Sequence, residues 1–133
     1  MKSLFISCLL FFYIQVSNAQ VRFFQGTWSE ALAEAQKQNK ILVVDFYTTW
    51  CAPCKLMTKT TFADTNVGDF ANAYFVPYKI DCEKGEGVKL AEKYEVDSYP
   101  SIYFIDKNGN VVRKEIGYKS VQEFLKILQK QKN

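Results

Sequence analysis

The chain has 133 residues, enough for one compact domain and too few for two of ordinary size. Hydrophobic residues at 48% against 23% charged exclude a disordered chain, and a net charge of +3 spread along the sequence leaves no footprint for nucleic acid or an anionic membrane. Histidine is absent, which removes Ser-His and Cys-His catalysis, imidazole proton shuttling and the commonest metal ligand together.

Residues 1–19 differ from everything after them. Met1-Lys2 is a short positive start, residues 4–14 are nearly unbroken apolar, and Ser17-Asn18-Ala19 supplies small residues at a cleavage position, the pattern of a secretory signal peptide. The apolar run is shorter than the ~20 residues of a spanning helix. Cys8 lies inside that run, followed by Leu9-Leu10-Phe11-Phe12, so it does not read as a lipoprotein cleavage site. The expectation is cleavage after Ala19, a domain at 20–133 with no stable membrane insertion, and a periplasmic or secreted location where disulfides persist. The ending Lys130-Gln131-Lys132-Asn133 carries no endoplasmic-reticulum retention signal, which favours a bacterial periplasm.

A short extended piece at 21–24 opens the domain. Thr27 with Glu30 three residues later forms a capping box, and Trp28, Ala31, Leu32 and Ala35 recur at helical spacing, so a helix is predicted as far as Asn39-Lys40. Ile41 to Tyr47 is a continuous apolar strand interrupted only by Asp45, as expected of a strand buried on both faces. A helix over residues 51–60 and a shorter one over 66–73, opened by Asp64 or Thr65, come next. Residues 75–80 form a strand in which Pro77 removes a ladder donor, so the strand is expected to start at or after Pro77 or to bulge there. Gly85 and Gly87 precede a helix bearing Val88, Ala91, Tyr94 and Glu95. Two strands, 101–105 and 111–116, flank the turn Asp106-Lys107-Asn108-Gly109, and a second capping box at Ser120 and Glu123 opens a last helix lined by Val121, Phe124, Leu125 and Leu128. The predicted order β-α-β-α-α-β-α-β-β-α implies one mixed, mostly parallel sheet with helices on both faces.

The chemistry concentrates at Trp50-Cys51-Ala52-Pro53-Cys54-Lys55. The strand ending at Tyr47 delivers the chain to the C-terminal edge of the sheet, and Cys51 then falls at a helix N-terminus, where free N–H groups and the dipole stabilise a thiolate. Cys54 is one turn further in, and Pro53 is tolerated because its missing donor would be unsatisfied there anyway. A c-type haem would need a histidine where Lys55 stands. A zinc site would have to draw on Cys51, Cys54, Cys82 and a carboxylate, and a purely structural disulfide would close too short a loop to stabilise much. Redox exchange is the reading this placement favours. Asp45, costly to bury charged, is a candidate proton acceptor with a raised pKa. Cys82, flanked by Asp81 and Glu83, is expected to be a packing residue on the same sheet edge.

The segment "VVDFYTTWCAPCK" resembles the active-site segment of the thioredoxin family, "VDSYPSIYFID" its cis-proline loop and following strand, and "NGNVV" its hairpin, with Gly117 as the glycine after the last strand. The stretch "TTFADTNVGDF" is most similar to secreted domains of the thiol:disulfide interchange type, including the C-terminal domain of bacterial transmembrane disulfide reductases. The resemblance implies the α/β thioredoxin-like fold and a protein-disulfide reductase. In it, Trp50 shields the dithiol, Cys51 attacks, Cys54 resolves, Asp45 handles the proton of Cys54, and Pro100 is cis and faces the disulfide. It implies no cofactor and no metal, a monomer, disulfide-bonded protein substrates and a membrane-embedded or other thiol donor. A non-catalytic binding or chaperone module on the same fold is the alternative. Ala52 departs from the glycine common in this motif, and Pro77 stands where the family often has a lysine, leaving Lys79 as a possible substitute.

Overall fold

The computed structural model describes residues 19–132, so nearly all of the expected signal segment lies outside the described residues. Nine elements follow one another: α1 (Trp28–Gln38), β1 (Ile41–Tyr47), α2 (Ala52–Lys59), α3 (Thr65–Tyr74), β2 (Phe75–Asp81), α4 (Gly87–Lys93), β3 (Ser101–Ile105), β4 (Val111–Ile116) and α5 (Val121–Lys132). The local signals act where the sequence puts them. Thr27 and Glu30 close the capping box of α1, and Asn39 ends that helix in the left-handed conformation at φ 52°. The Asp64 side chain caps α3 by accepting from the N–H groups of Asn66 and Val67, and the Glu123 carboxylate accepts from Ser120 N at the start of α5.

The four strands form one sheet in the order β2-β1-β3-β4. Each face carries its own core. On one, α1 and α4 bury Trp28, Ala31, Ala35, Leu90 and Ala91 against Leu42, Val44 and Phe46. On the other, Met57 of α2, Val67 and Ala71 of α3 and Phe124 and Leu128 of α5 pack on Val43, Ile102 and Phe104. The α/β layering with helices on both faces is as expected.

Three sequence expectations need correction. Residues 21–24 are not a strand. Phe24 N–H bonds to the Pro77 carbonyl (2.8 Å) along the outer edge of β2, but Pro77 has no N–H to return, so no ladder develops. The same geometry explains why β2 neither starts late nor bulges. Its pairing with β1 runs unbroken from Ile41↔Phe75 to Tyr47↔Asp81, because Pro77 points its backbone polar groups outward from an edge strand. Finally, the sheet is not mostly parallel: β1/β2 is parallel, while β1/β3 and β3/β4 are antiparallel. The α4 helix has seven residues, about 10 Å of rise, too little to recross a strand of about 23 Å, so the chain returns at the edge it left. β3 accordingly starts opposite Phe46, with Ser101, and runs back.

Candidate active site

Strand β1 ends at Tyr47, a turn through Thr48-Thr49-Trp50 follows, and Cys51 is the N-cap of α2. Its sulfur accepts the N–H of Cys54 at 3.2 Å, so the sulfur occupies the position an N-cap oxygen would take. Cys51 and Cys54 are joined as a disulfide with their Cα atoms 5.3 Å apart. Both residues are 4% exposed, so Cys54 is no deeper as a residue than Cys51; what distinguishes them is position, one at the helix cap and one within the first turn.

Asp45 lies in the middle of β1, 2% exposed, between Lys79 of β2 and Ile102 of β3. Neither of its carboxylate oxygens has a hydrogen-bond partner. The nearest cation is Lys79, whose Nζ stands 3.7 Å from Oδ2, held there by a 2.9 Å bond to Thr58 Oγ1 of α2 and by the face of the Tyr47 ring at 4.7 Å. Burial drives the Asp45 carboxyl up to about 6, with the Lys79 charge opposing that rise. The question the sequence left open about Lys79 is thus answered. Two residues after Pro77 along the strand, it stands directly beside Asp45 and so faces the same side.

A cleft of about 280 Å³ opens beside Cys54, lined among others by Tyr47, Thr48, Thr58 and Lys79. The hydroxyl of Thr48, buried at 1% exposure, has no hydrogen-bond partner. On the rim, Trp50 is 65% exposed, so it is no core residue. Its indole N–H donates to Glu83, and its ring meets Tyr99 edge-on at 6.0 Å. The peptide Tyr99-Pro100 is cis, Pro100 is buried, and its carbonyl accepts from Gly117 N at 2.8 Å. The loop carrying Pro100 is therefore brought to the edge that carries Trp50 and the dithiol.

Cys82 reaches the same edge, because its N–H bonds to the Tyr47 carbonyl at 2.9 Å. It is a free, buried thiol whose pKa is pushed up to about 12, first by burial and then by the charges of Asp45, Asp81 and Glu83. Thr58, and the bond of Glu83 to Trp50, escaped the sequence reading. Thr58 is four residues after Cys54, a helical spacing that puts it on the same face and could have flagged it. Glu83 carries no such signal, since only the return of β2 beside β1 brings it to Trp50.

The thioredoxin-like domain family matches residues 28–132. The chain belongs to the thioredoxin-like family. Its relatives include the thiol:disulfide interchange protein DsbD of Yersinia pestis, 33% identical over 98 residues, 71% of this chain but only 16% of the relative's length. Rice thioredoxin H2-2 (Oryza sativa subsp. japonica) is 36% identical over 95 residues, 71% of this chain and 66% of that one. Among solved structures, a putative disulphide-isomerase from Bacteroides thetaiotaomicron matches with a TM-score of 0.74 and 42% identity, covering 84% of this chain and 92% of its own. Within that family, this chain carries its Cys-x-x-Cys pair as the Cys51–Cys54 disulfide at the N-terminus of α2.

Proposed function

We propose that this thioredoxin-like protein is exported and reduces disulfides of other proteins with Cys51 and Cys54. The observation that carries the proposal is the arrangement at the dithiol: a sulfur at the cap of α2, and a buried carboxylate whose lysine is bonded to Thr58 of the same helix. Backbone N–H groups at the helix start favour the Cys51 thiolate, the form that attacks. That thiolate attacks one sulfur of a substrate disulfide. A mixed disulfide forms, and the other substrate sulfur leaves as a thiolate and takes a proton from water. Cys54 then gives its proton to the Asp45 carboxylate, and its thiolate attacks the Cys51 sulfur. The intramolecular disulfide closes and the second substrate thiol is released, two electrons having passed to the substrate.

A carboxyl held near 6 is ionised at neutral pH yet basic enough to accept that proton. Trp50 and the Pro100 loop form the rim against which an extended substrate lies, and a membrane-embedded or other thiol donor returns the two electrons. Export to the periplasm or the exterior is supported by the signal-like pattern of residues 1–19 and by the interchange proteins among the relatives. No helix among the described residues is long and apolar enough to cross a membrane. Reduction of insulin driven by dithiothreitol tests the activity, and no turnover would favour a binding or chaperone module. The reduction potential of the pair tests direction: a value near the roughly −270 mV of a reducing thioredoxin supports a reductase, and one near −120 mV an oxidase.

A further inference from the structure

The segment at residues 20–24 precedes the first helix, yet it is fastened to three separate parts of the domain. The Asn72 side chain of α3 holds it twice, donating to the Gln20 carbonyl (3.0 Å) and accepting from Arg22 N (2.9 Å). Val21 N bonds to the Phe62 carbonyl at 2.9 Å, and Phe24 N to the Pro77 carbonyl at 2.8 Å. Gly68 of α3 has no side chain where the strap crosses: a Cβ there would stand 2.6 Å from the Gln20 carbonyl carbon.

These anchors aim Phe23 at the redox centre. Its ring meets Phe62 edge-on at 5.3 Å, and the Lys79 ammonium stands 5.4 Å from its centroid. Val21, Phe23, Phe62, Ile102 and Phe124 surround Asp45 in an apolar void of about 10 Å³, at the lower limit of what one water needs. We propose that the strap is a working part of the redox centre: Phe23 closes the chamber around the Asp45 carboxylate against water, so the proton chemistry of the site depends on a segment clamped to α3.

This rests on the reading of Asp45 as the proton acceptor for Cys54. The groups that couple electrostatically to Asp45 are Lys79 of β2, Tyr47 of β1 and Cys82 just past β2, with Cys54 of α2 locked in the disulfide in the oxidised form. The strap, α3 and α5 present only apolar groups to the chamber: Val21, Phe23, Ala71 and Phe124. Their contribution is the exclusion of water, the largest cause of the raised carboxyl. Phe23 is thus a positioning residue. Asn72 and Gly68 act through it from a helix that carries none of the reacting groups.

The test is the titration of the Asp45 carboxyl by NMR in the full oxidised chain, for the wild type, Phe23→Leu, Asn72→Ala and Gly68→Ala. The expected result is a midpoint lower than the wild type's by about half a pH unit or more in each variant, as water enters the chamber. The pH inflection of mixed-disulfide resolution should move with it. In an Asp45→Asn background the same strap substitutions should leave the resolution rate within about two-fold. An unmoved midpoint in folded Phe23→Leu and Asn72→Ala overturns the inference, and Asn72→Ala keeps the test open should Phe23→Leu not fold. If Asp45→Asn itself resolves as fast as the wild type at every pH, the proton-acceptor reading fails instead. The two failures are therefore read from different measurements.

Discussion

Cys51 and Cys82 are almost equally hidden, 4% and 6% exposed, and both stand at the C-terminal edge of the sheet, yet their surroundings differ in sign. The Cys51 sulfur receives a backbone N–H and caps a helix, whose dipole favours negative charge. Cys82 follows Asp81, precedes Glu83 and feels Asp45, so burial and three carboxylates together push its thiol up to about 12. Burial by itself therefore does not decide what a thiol can do. What adds to burial differs, backbone amides at Cys51 and carboxylates at Cys82, and these are set by where each cysteine falls relative to an element's end.

The comparison breaks most directly at the thiols themselves. Cys51→Ser is expected to lower disulfide exchange by about 1000-fold or more, while Cys54→Ser keeps the nucleophile and accumulates mixed disulfides on non-reducing gels. Equal trapping by the two variants would mean that the helix cap does not select the attacking sulfur.

Replacing the carboxylate sharpens the contrast next. Asp45→Asn should slow resolution of the mixed disulfide by roughly 10- to 100-fold and flatten the inflection near pH 6, as followed by stopped-flow fluorescence. It should also alter stability. The folded carboxyl, at about 6, lies above its ordinary 3.8, so the folded state binds the proton more tightly than the unfolded one. The stability this lends is full below pH 3.8 and is lost as pH rises through 6, amounting to about 3 kcal/mol. Melting temperatures at pH 4 and pH 8 should show Asp45→Asn gaining on the wild type as pH rises. A constant gap would contradict the burial argument.

Lys79→Met removes the charge that opposes that rise. The Asp45 midpoint should move above 6 and the resolution profile should shift to higher pH, by a smaller effect than loss of the carboxylate. The smallest effect belongs to the other thiol. Cys82→Ala should keep turnover within about two-fold while costing about 1 kcal/mol in urea unfolding, and iodoacetamide should label Cys51 before Cys82 in the reduced native protein. A disulfide linking Cys82 to either active-site cysteine, found by peptide mapping, would erase the distinction drawn between the two thiols.

Much of the site was legible because its signals are local. The β-forming run, the abrupt turn and the Cys-Ala-Pro-Cys start of a helix lie in consecutive residues, so the cap geometry of Cys51 follows from nearest neighbours. Asp45 was legible as an anomaly, a single carboxylate in an otherwise apolar strand. Trp50 was recognised by position, but its exposure depends on Glu83 and Tyr99, which arrive from other segments.

By itself the sequence determined the helix boundaries through Thr27-Glu30, Asp64 and Ser120-Glu123, the Asn-Gly hairpin, and the dithiol at a helix start. Each is a hydrogen bond or a dihedral preference acting within a few residues. Tertiary structure alone decided the antiparallel return of β3, the failure of residues 21–24 to become a strand, and the pairing of Asp45 with Lys79. These depend on strand register and on which edge a connection can reach. A shift of one residue would turn Lys79 to the opposite face, so no local preference can encode which side of the sheet it shares with Asp45.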